Sequence, residues 1–150
     1  MKLSETLIAE NIGLDLKSTS KDGILQELVN LLDLKPAAKK NLVSTLRARE
    51  ALGSTGVGDG IAIPHCRSLV VSQLVIAVGR SKKGVNFQSM DGKRASLFFL
   101  IVAPPVGDPS LYLIALGKVA SVASAISKDK RIKDVKQRKQ FLDLVKELEE

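Results

Sequence analysis

Gly53-Ser54-Thr55-Gly56-Val57-Gly58-Asp59-Gly60-Ile61-Ala62-Ile63-Pro64-His65 is where the pattern of the chain changes. Four glycines in its first eight residues interrupt a helical pattern and read as a shaped loop. Ile61-Ala62-Ile63 is then a short apolar run stopped by Pro64. A proline pushes the residue before it toward extended geometry. The run is therefore predicted to be a buried strand with His65 at its end.

Upstream, Asn11 to Leu16 alternates weakly and predicts a first strand with Ile12, Leu14 and Leu16 on one face. Ser18-Thr19-Ser20 offers helix caps, and Asp22 suits a first turn. Ile24, Leu25, Leu28, Leu31 and Leu32 follow at helical spacing. Pro36 opens a second helix carrying Leu42, Val43 and Leu46 and running to about Glu50. Downstream, Leu74 to Val78 and Ser96 to Ala103 read as buried strands, with a turn at Asp91-Gly92. After a loop at Pro104 to Pro109, Ser110 is predicted to cap a long helix through Leu113, Leu116, Val119, Ala120, Ala123 and Ile126. Its small residues predict close packing on the sheet. Phe141, Leu144, Val145 and Leu148 mark an amphipathic last helix. No repeat or linker divides the chain. The reading is one α/β domain over residues 1–150, with helices covering both faces of a mixed sheet.

Composition removes several classes of function. The chain has 150 residues, 23 Lys+Arg and 16 Asp+Glu, for a net charge of +7. One cysteine, Cys66, excludes an internal disulfide, and one histidine beside it excludes a zinc site of clustered Cys and His. No apolar run reaches membrane-span length, and the N-terminus lacks the apolar stretch of a signal peptide, so a cytoplasmic protein is expected. Positive charge raises nucleic acid as a partner. Residues 128–139, however, carry seven basic and two acidic residues, a local +5. No nucleic-acid motif or interleaved aromatic accompanies them, and such a run reads as a solvated face or a docking surface.

The loop and His65 form a chemical set. A glycine-rich loop can aim backbone N–H groups into one concavity that favours an anion. Ser54 and Thr55 add hydroxyl donors, and Arg49 can meet a phosphate with two N–H groups. A neutral imidazole with one nitrogen held by a carbonyl leaves the other as a nucleophile. Together these parts describe a histidine that accepts a phosphoryl group, a reaction that needs mainly positioning and charge stabilisation. Each part alone has a plainer role. The loop lacks the Gly-Lys-Ser/Thr ending of a P-loop, Arg49 suits a helix end, and Ser54 and Thr55 suit turn hydrogen bonds. Cys66 reads as a small packing residue. No cluster of ligands for a metal hydrolase is visible.

The stretch Gly53 to His65 resembles the signature of the enzyme IIA proteins of the bacterial phosphotransferase system, fructose/mannitol class, which includes a nitrogen-regulatory branch. Gly84-Val85-Asn86-Phe87, Met90-Asp91-Gly92-Lys93 and Leu97 to Pro104 are similar to the family's central strands. The resemblance covers nearly the whole chain and is weakest in the basic tail region. It implies a three-layer α/β/α sandwich around a mixed sheet. It implies that His65 accepts a phosphoryl group from the histidine-containing phosphocarrier protein. The group would then pass to a cysteine of an enzyme IIB domain, or set the contacts of a regulated partner protein. The family's arginine maps onto Arg49 and its loop hydroxyls onto Ser54 and Thr55. No cofactor or metal is implied.

One position departs. The family has a second histidine early in the helix after the central strands, within His-Leu-x-x-Leu. Here Tyr112-Leu113-Ile114-Ala115-Leu116 stands in its place. A tyrosine can donate a hydrogen bond to a phosphoryl oxygen but is not a cation at neutral pH. Tyr112 is thus either a phosphoryl-binding residue or a packing residue at a helix start. Two readings of function stay open, a phosphoryl carrier and a binding module switched by phosphorylation, with nucleic-acid binding a distant third.

Overall fold

The computed structural model describes residues 1–149. The chain runs α1 (Leu3–Thr6), β1 (Ile12–Gly13), α2 (Lys21–Asn30), α3 (Pro36–Ala51), β2 (Gly56–Gly58), β3 (Ile61–Ala62), β4 (His65–Arg67), β5 (Val75–Val85), β6 (Ala95–Ala103), α4 (Pro109–Lys128) and α5 (Arg138–Leu148). Short 3-10 turns lie at Ala9–Asn11 and Lys130–Asp134.

The strands form one mixed sheet in the order β1-β5-β6-β3-β2, with β4 also pairing β6. β5 and β6 are antiparallel, whereas β1 on β5 and both β3 and β4 on β6 are parallel. β6 shows why helices cover both faces. It is apolar at nearly every position, and its side chains alternate between two cores. Leu97, Phe99 and Ile101 pack with Val119, Val122, Ala123 and Phe141 from α4 and α5. Phe98, Leu100 and Val102 pack with Leu25, Leu28, Leu42 and Leu46 from α2 and α3. The expected three-layer α/β/α sandwich is the architecture observed.

Several local expectations change. β1 is shorter than the span from Asn11 to Leu16. Asn11 lies in a 3-10 turn and donates its side-chain amide to the Ile76 carbonyl at 3.2 Å, which takes it out of the ladder. Leu16 still donates its N–H to the Arg80 carbonyl at 2.9 Å. Ser20 caps α2, with its hydroxyl accepting from Gly23 N–H at 3.1 Å, but the helix stops at Asn30, before Leu31 and Leu32. Pro36 opens α3 as expected. The cap of α4 is Asp108 rather than Ser110: its carboxylate accepts from Ser110 N–H at 2.9 Å, because Pro109 fixes the first helical residue one position earlier.

The stripe of α4 that meets the sheet is Ala115, Val119, Val122, Ala123 and Ile126. Leu113, 64% exposed, and Ala120 face outward, against expectation, and a Cβ on Gly117 would touch nothing within 4 Å. Close packing therefore rests on Ala115 and Ala123. By length and composition Pro109–Lys128 is apolar enough to cross a membrane, which corrects the expectation that no segment reaches that length; in this fold its buried side covers the sheet.

The basic run is not one charged helix face. It divides into the end of α4, a 3-10 turn and the start of α5. Arg131 reaches Asp129 and Glu147, each at 2.8 Å, and Arg138 donates to the Ile12 carbonyl at 3.0 Å.

Candidate active site

The glycine-rich stretch is half loop and half hairpin. Gly58 pairs with Ile61, leaving the two-residue turn Asp59-Gly60. Both turn residues have positive φ, 56° and 79°, as the tight hairpin turn that matches strand twist requires. The hairpin places β3 beside β6, where Ile61 pairs with Leu97.

His65 is not at the end of the strand begun by Ile61. The strand breaks at Ile63-Pro64 and resumes as β4 on the same neighbour, with His65 opposite Ile101. Pro64 has no N–H to give to a ladder, yet its carbonyl accepts from Ile101 N–H at 3.0 Å, so the chain stays attached through the break. The break turns the Ile63 carbonyl onto the imidazole, where it lies 2.8 Å from His65 Nδ1. A carbonyl only accepts, so Nδ1 carries the hydrogen. In the neutral ring Nε2 then holds the free lone pair. The side chain is half-buried.

Tyr112, in the first turns of α4, faces this ring with centroids 6.1 Å apart and planes tilted by 54°. Burial pushes its phenol up to about 12, with a smaller push from Cys66, while Arg67 and Arg49 pull the other way. The phenol is therefore a neutral O–H near two cations. Arg49 comes from the last turn of α3, and its guanidinium donates to the Gly53 carbonyl at 2.9 Å, which ties the helix end to the loop. The structure thus sets Tyr112 against the His65 ring, with the Arg49 guanidinium close enough for its charge to act on the phenol. Cys66 points into the other core, and burial pushes its thiol up to about 12, so it is a packing residue with little thiolate.

Ser54 and Thr55 are placed differently from the free donors the sequence suggests. The Ser54 hydroxyl donates to the Phe87 carbonyl and accepts from Gly56 N–H at 3.0 Å. Thr55 is buried, and both its hydroxyl and its N–H, the latter at 3.1 Å, are donated to Glu50. Both hydroxyl hydrogens are thus engaged inside the protein and hold the loop in shape.

Two residues at the site escape the sequence reading. Glu50 is 8% exposed and joins Thr55 to Lys21, whose ammonium is 3.1 Å away and also 4.7 Å from the centre of the Phe87 ring. A signal for it exists: Glu50 continues the buried stripe of Leu42, Val43 and Leu46, where a carboxylate needs partners. Arg67 lies 5.0 Å from the centre of the Tyr112 ring. Its signal is the i, i+2 spacing from His65 on one strand. Among the described residues no group of three or more His, Cys, Asp or Glu could hold a metal.

The chain belongs to the family described as phosphoenolpyruvate-dependent sugar phosphotransferase system, EIIA 2, which matches residues 5–148. It is 34% identical over 149 residues to the fructose-specific EIIABC component of Bacillus subtilis, covering 97% of this chain but 23% of that protein. It is also 34% identical over 121 residues to the nitrogen regulatory protein of Bradyrhizobium diazoefficiens, covering 80% of this chain and 78% of the relative. Among solved structures, nitrogen regulatory protein IIA-Ntr from Neisseria meningitidis superposes with a TM-score of 0.84 at 31% identity, covering 95% of this chain and 98% of that one. The family assignment makes the chain an EIIA component of the phosphotransferase system.

Proposed function

We propose that His65 is a phosphoryl carrier. The observation that carries this reading is the 2.8 Å contact between Nδ1 and the Ile63 carbonyl, which directs the lone pair to Nε2. In the proposed step, Nε2 attacks the phosphorus of a phosphohistidine on the phosphocarrier protein. The new N–P bond forms as the donor's P–N bond breaks, and the donor imidazole leaves with the electron pair. Arg49 stabilises the transferred group by charge, and the neutral Tyr112 O–H donates to it. Ser54 and Thr55 act through the shape of the loop, since their hydroxyls and the N–H groups of Gly53, Thr55, Gly56 and Asp59 are all donated within the protein. The phosphoryl group then passes to a cysteine of an enzyme IIB domain. The fused EIIABC relative supports that partner. The setting is cytoplasmic, where both partners and phosphoenolpyruvate chemistry are found.

A second reading keeps the carrier and changes its purpose. The likeness to IIA-Ntr favours a module whose partner choice depends on the phosphorylation of His65. A phosphoryl group adds about −1.5 to −2 charges, enough to recruit or repel a partner at the exposed end of α4.

The test is incubation with enzyme I, phosphocarrier protein and phosphoenolpyruvate, followed by intact mass at neutral pH, because the phosphohistidine bond is acid-labile. One phosphoryl group is expected on the wild type and none on His65→Ala. A wild type without the group contradicts both readings.

A further inference from the structure

Arg67 and His65 are two residues apart on β4, so their side chains leave the same face of the strand with Cβ atoms about 7 Å apart. Both approach Tyr112, whose ring is 6.1 Å from the imidazole and 5.0 Å from the Arg67 guanidinium carbon. The guanidinium is exposed at the rim of a groove lined also by Leu74, Pro104, Asp108 and Tyr112. Among the described residues its side chain makes no ion pair.

We infer that Arg67 is a second phosphoryl-binding cation, held on the Tyr112 ring and turning from it to the oxygens of a phosphoryl group on His65 Nε2. The inference rests on His65 being the carrier. Three features argue for it. A long stem starting on the same strand face as His65 reaches a group attached to that ring. A cation resting on an aromatic face keeps its N–H donors, whereas a carboxylate partner would occupy them. The site must also neutralise charge spread over three oxygens while Tyr112 supplies only a neutral hydroxyl, and Arg49 alone offers a single guanidinium. An exposed arginine resting on a tyrosine does not by itself mark a ligand site. What sets Arg67 apart is its register with His65. It makes and breaks no bond; it holds the transferred oxygens as the N–P bond forms.

The experiment is single-turnover phosphoryl acceptance from phosphorylated phosphocarrier protein, at rising carrier concentration, for wild type, Arg67→Ala, Arg67→Met and Arg67→Lys. Arg67→Met keeps the stem on the ring without charge, and it decides the question if Arg67→Ala fails to fold. The saturating rate is expected to fall about 10- to 100-fold in both neutral variants, with part of it recovered by Arg67→Lys. A wild-type saturating rate in Arg67→Met overturns the inference, even if more carrier is needed to reach it. That result leaves His65 as carrier intact, whereas a wild type that accepts no phosphoryl group overturns the carrier reading itself.

Discussion

The N–H and the hydroxyl of Thr55 both end on the carboxylate of Glu50, five residues earlier and 8% exposed. The contact joins the last turn of α3 to the start of the glycine-rich stretch, and Lys21 of α2 neutralises it. Arg49 and the loop are therefore tied to the same helix end.

Glu50→Ala strands two donors of Thr55 and takes from the Lys21 ammonium its carboxylate partner, leaving it Gln88 Oε1 at 3.3 Å. Removing one partner of a largely buried pair costs about 3 kcal/mol. Glu50→Gln keeps one acceptor oxygen for the Thr55 N–H and replaces the other by an amide donor, to which the Thr55 hydroxyl can turn its lone pair, at a cost of about 1 kcal/mol. Urea unfolding of both variants measures the difference. Equal losses would contradict the role of the carboxylate as a hydrogen-bonded hub.

Gly56 permits a close backbone approach. A Cβ there would lie 2.4 Å from Ser89 Oγ and 2.9 Å from Ser89 Cα. Gly56→Ala must push β2 away from the segment after Phe87, with an expected cost of about 1–3 kcal/mol. Because Ser54 bonds to the Phe87 carbonyl, phosphoryl acceptance is expected to fall as well. A variant with wild-type stability and acceptance would show that the loop tolerates the shift.

Alkaline pH should destabilise the fold. Burial raises the Cys66 thiol from 9.0 to about 12 and the Tyr112 phenol from 10.0 to about 12. Above pH 9 the unfolded chain releases these protons while the folded chain keeps them. The unfolded state then binds fewer protons, so stability falls as pH rises from about 9 toward 12. Below pH 9 neither group contributes. Melting curves across this range should show the decline, and Cys66→Ala should flatten its first part. An unchanged profile in that variant would rule out the buried thiol as a cause.

Tyr112→His replaces a neutral donor by one that becomes a cation as pH falls through about 6.5. The ratio of its acceptance rate to that of wild type is expected to exceed one and to rise on acidification, the ratio cancelling the shared protonation of the His65 nucleophile. The Tyr112 phenol does not ionise in this range, so wild type shows no such rise from that position. Rates at pH 6 and 8 for the two proteins provide the check. A pH-independent ratio no greater than one would place Tyr112 outside the phosphoryl site.

The layers were legible in the sequence because β6 is apolar throughout and α2, α3 and α5 carry clear stripes. The types and spacing of His65 and Arg49 suit phosphate chemistry, and the carrier role proposed for them starts from that pattern. The break of the strand at Ile63-Pro64 was not legible, since a proline announces an ending as readily as an interruption, and only the parallel pairing of both halves with β6 distinguishes them. The engagement of Ser54 and Thr55 was hidden for another reason. Their partners, Phe87 and Glu50, are set by packing; the first is 33 residues away, and the second reads as an ordinary charged helix end. The outward turn of Leu113 was likewise invisible, because an apolar residue at helical spacing does not say which face meets the sheet.

The most direct test of the carrier reading is phosphorus NMR, with nitrogen-15 labelling of histidine, on the protein phosphorylated through phosphoenolpyruvate, enzyme I and the phosphocarrier protein. With Nδ1 donating its hydrogen to the Ile63 carbonyl, the phosphorus should couple to Nε2 of His65 while Nδ1 keeps its proton. A phosphoryl group on Nδ1, on another residue or on none would contradict the account.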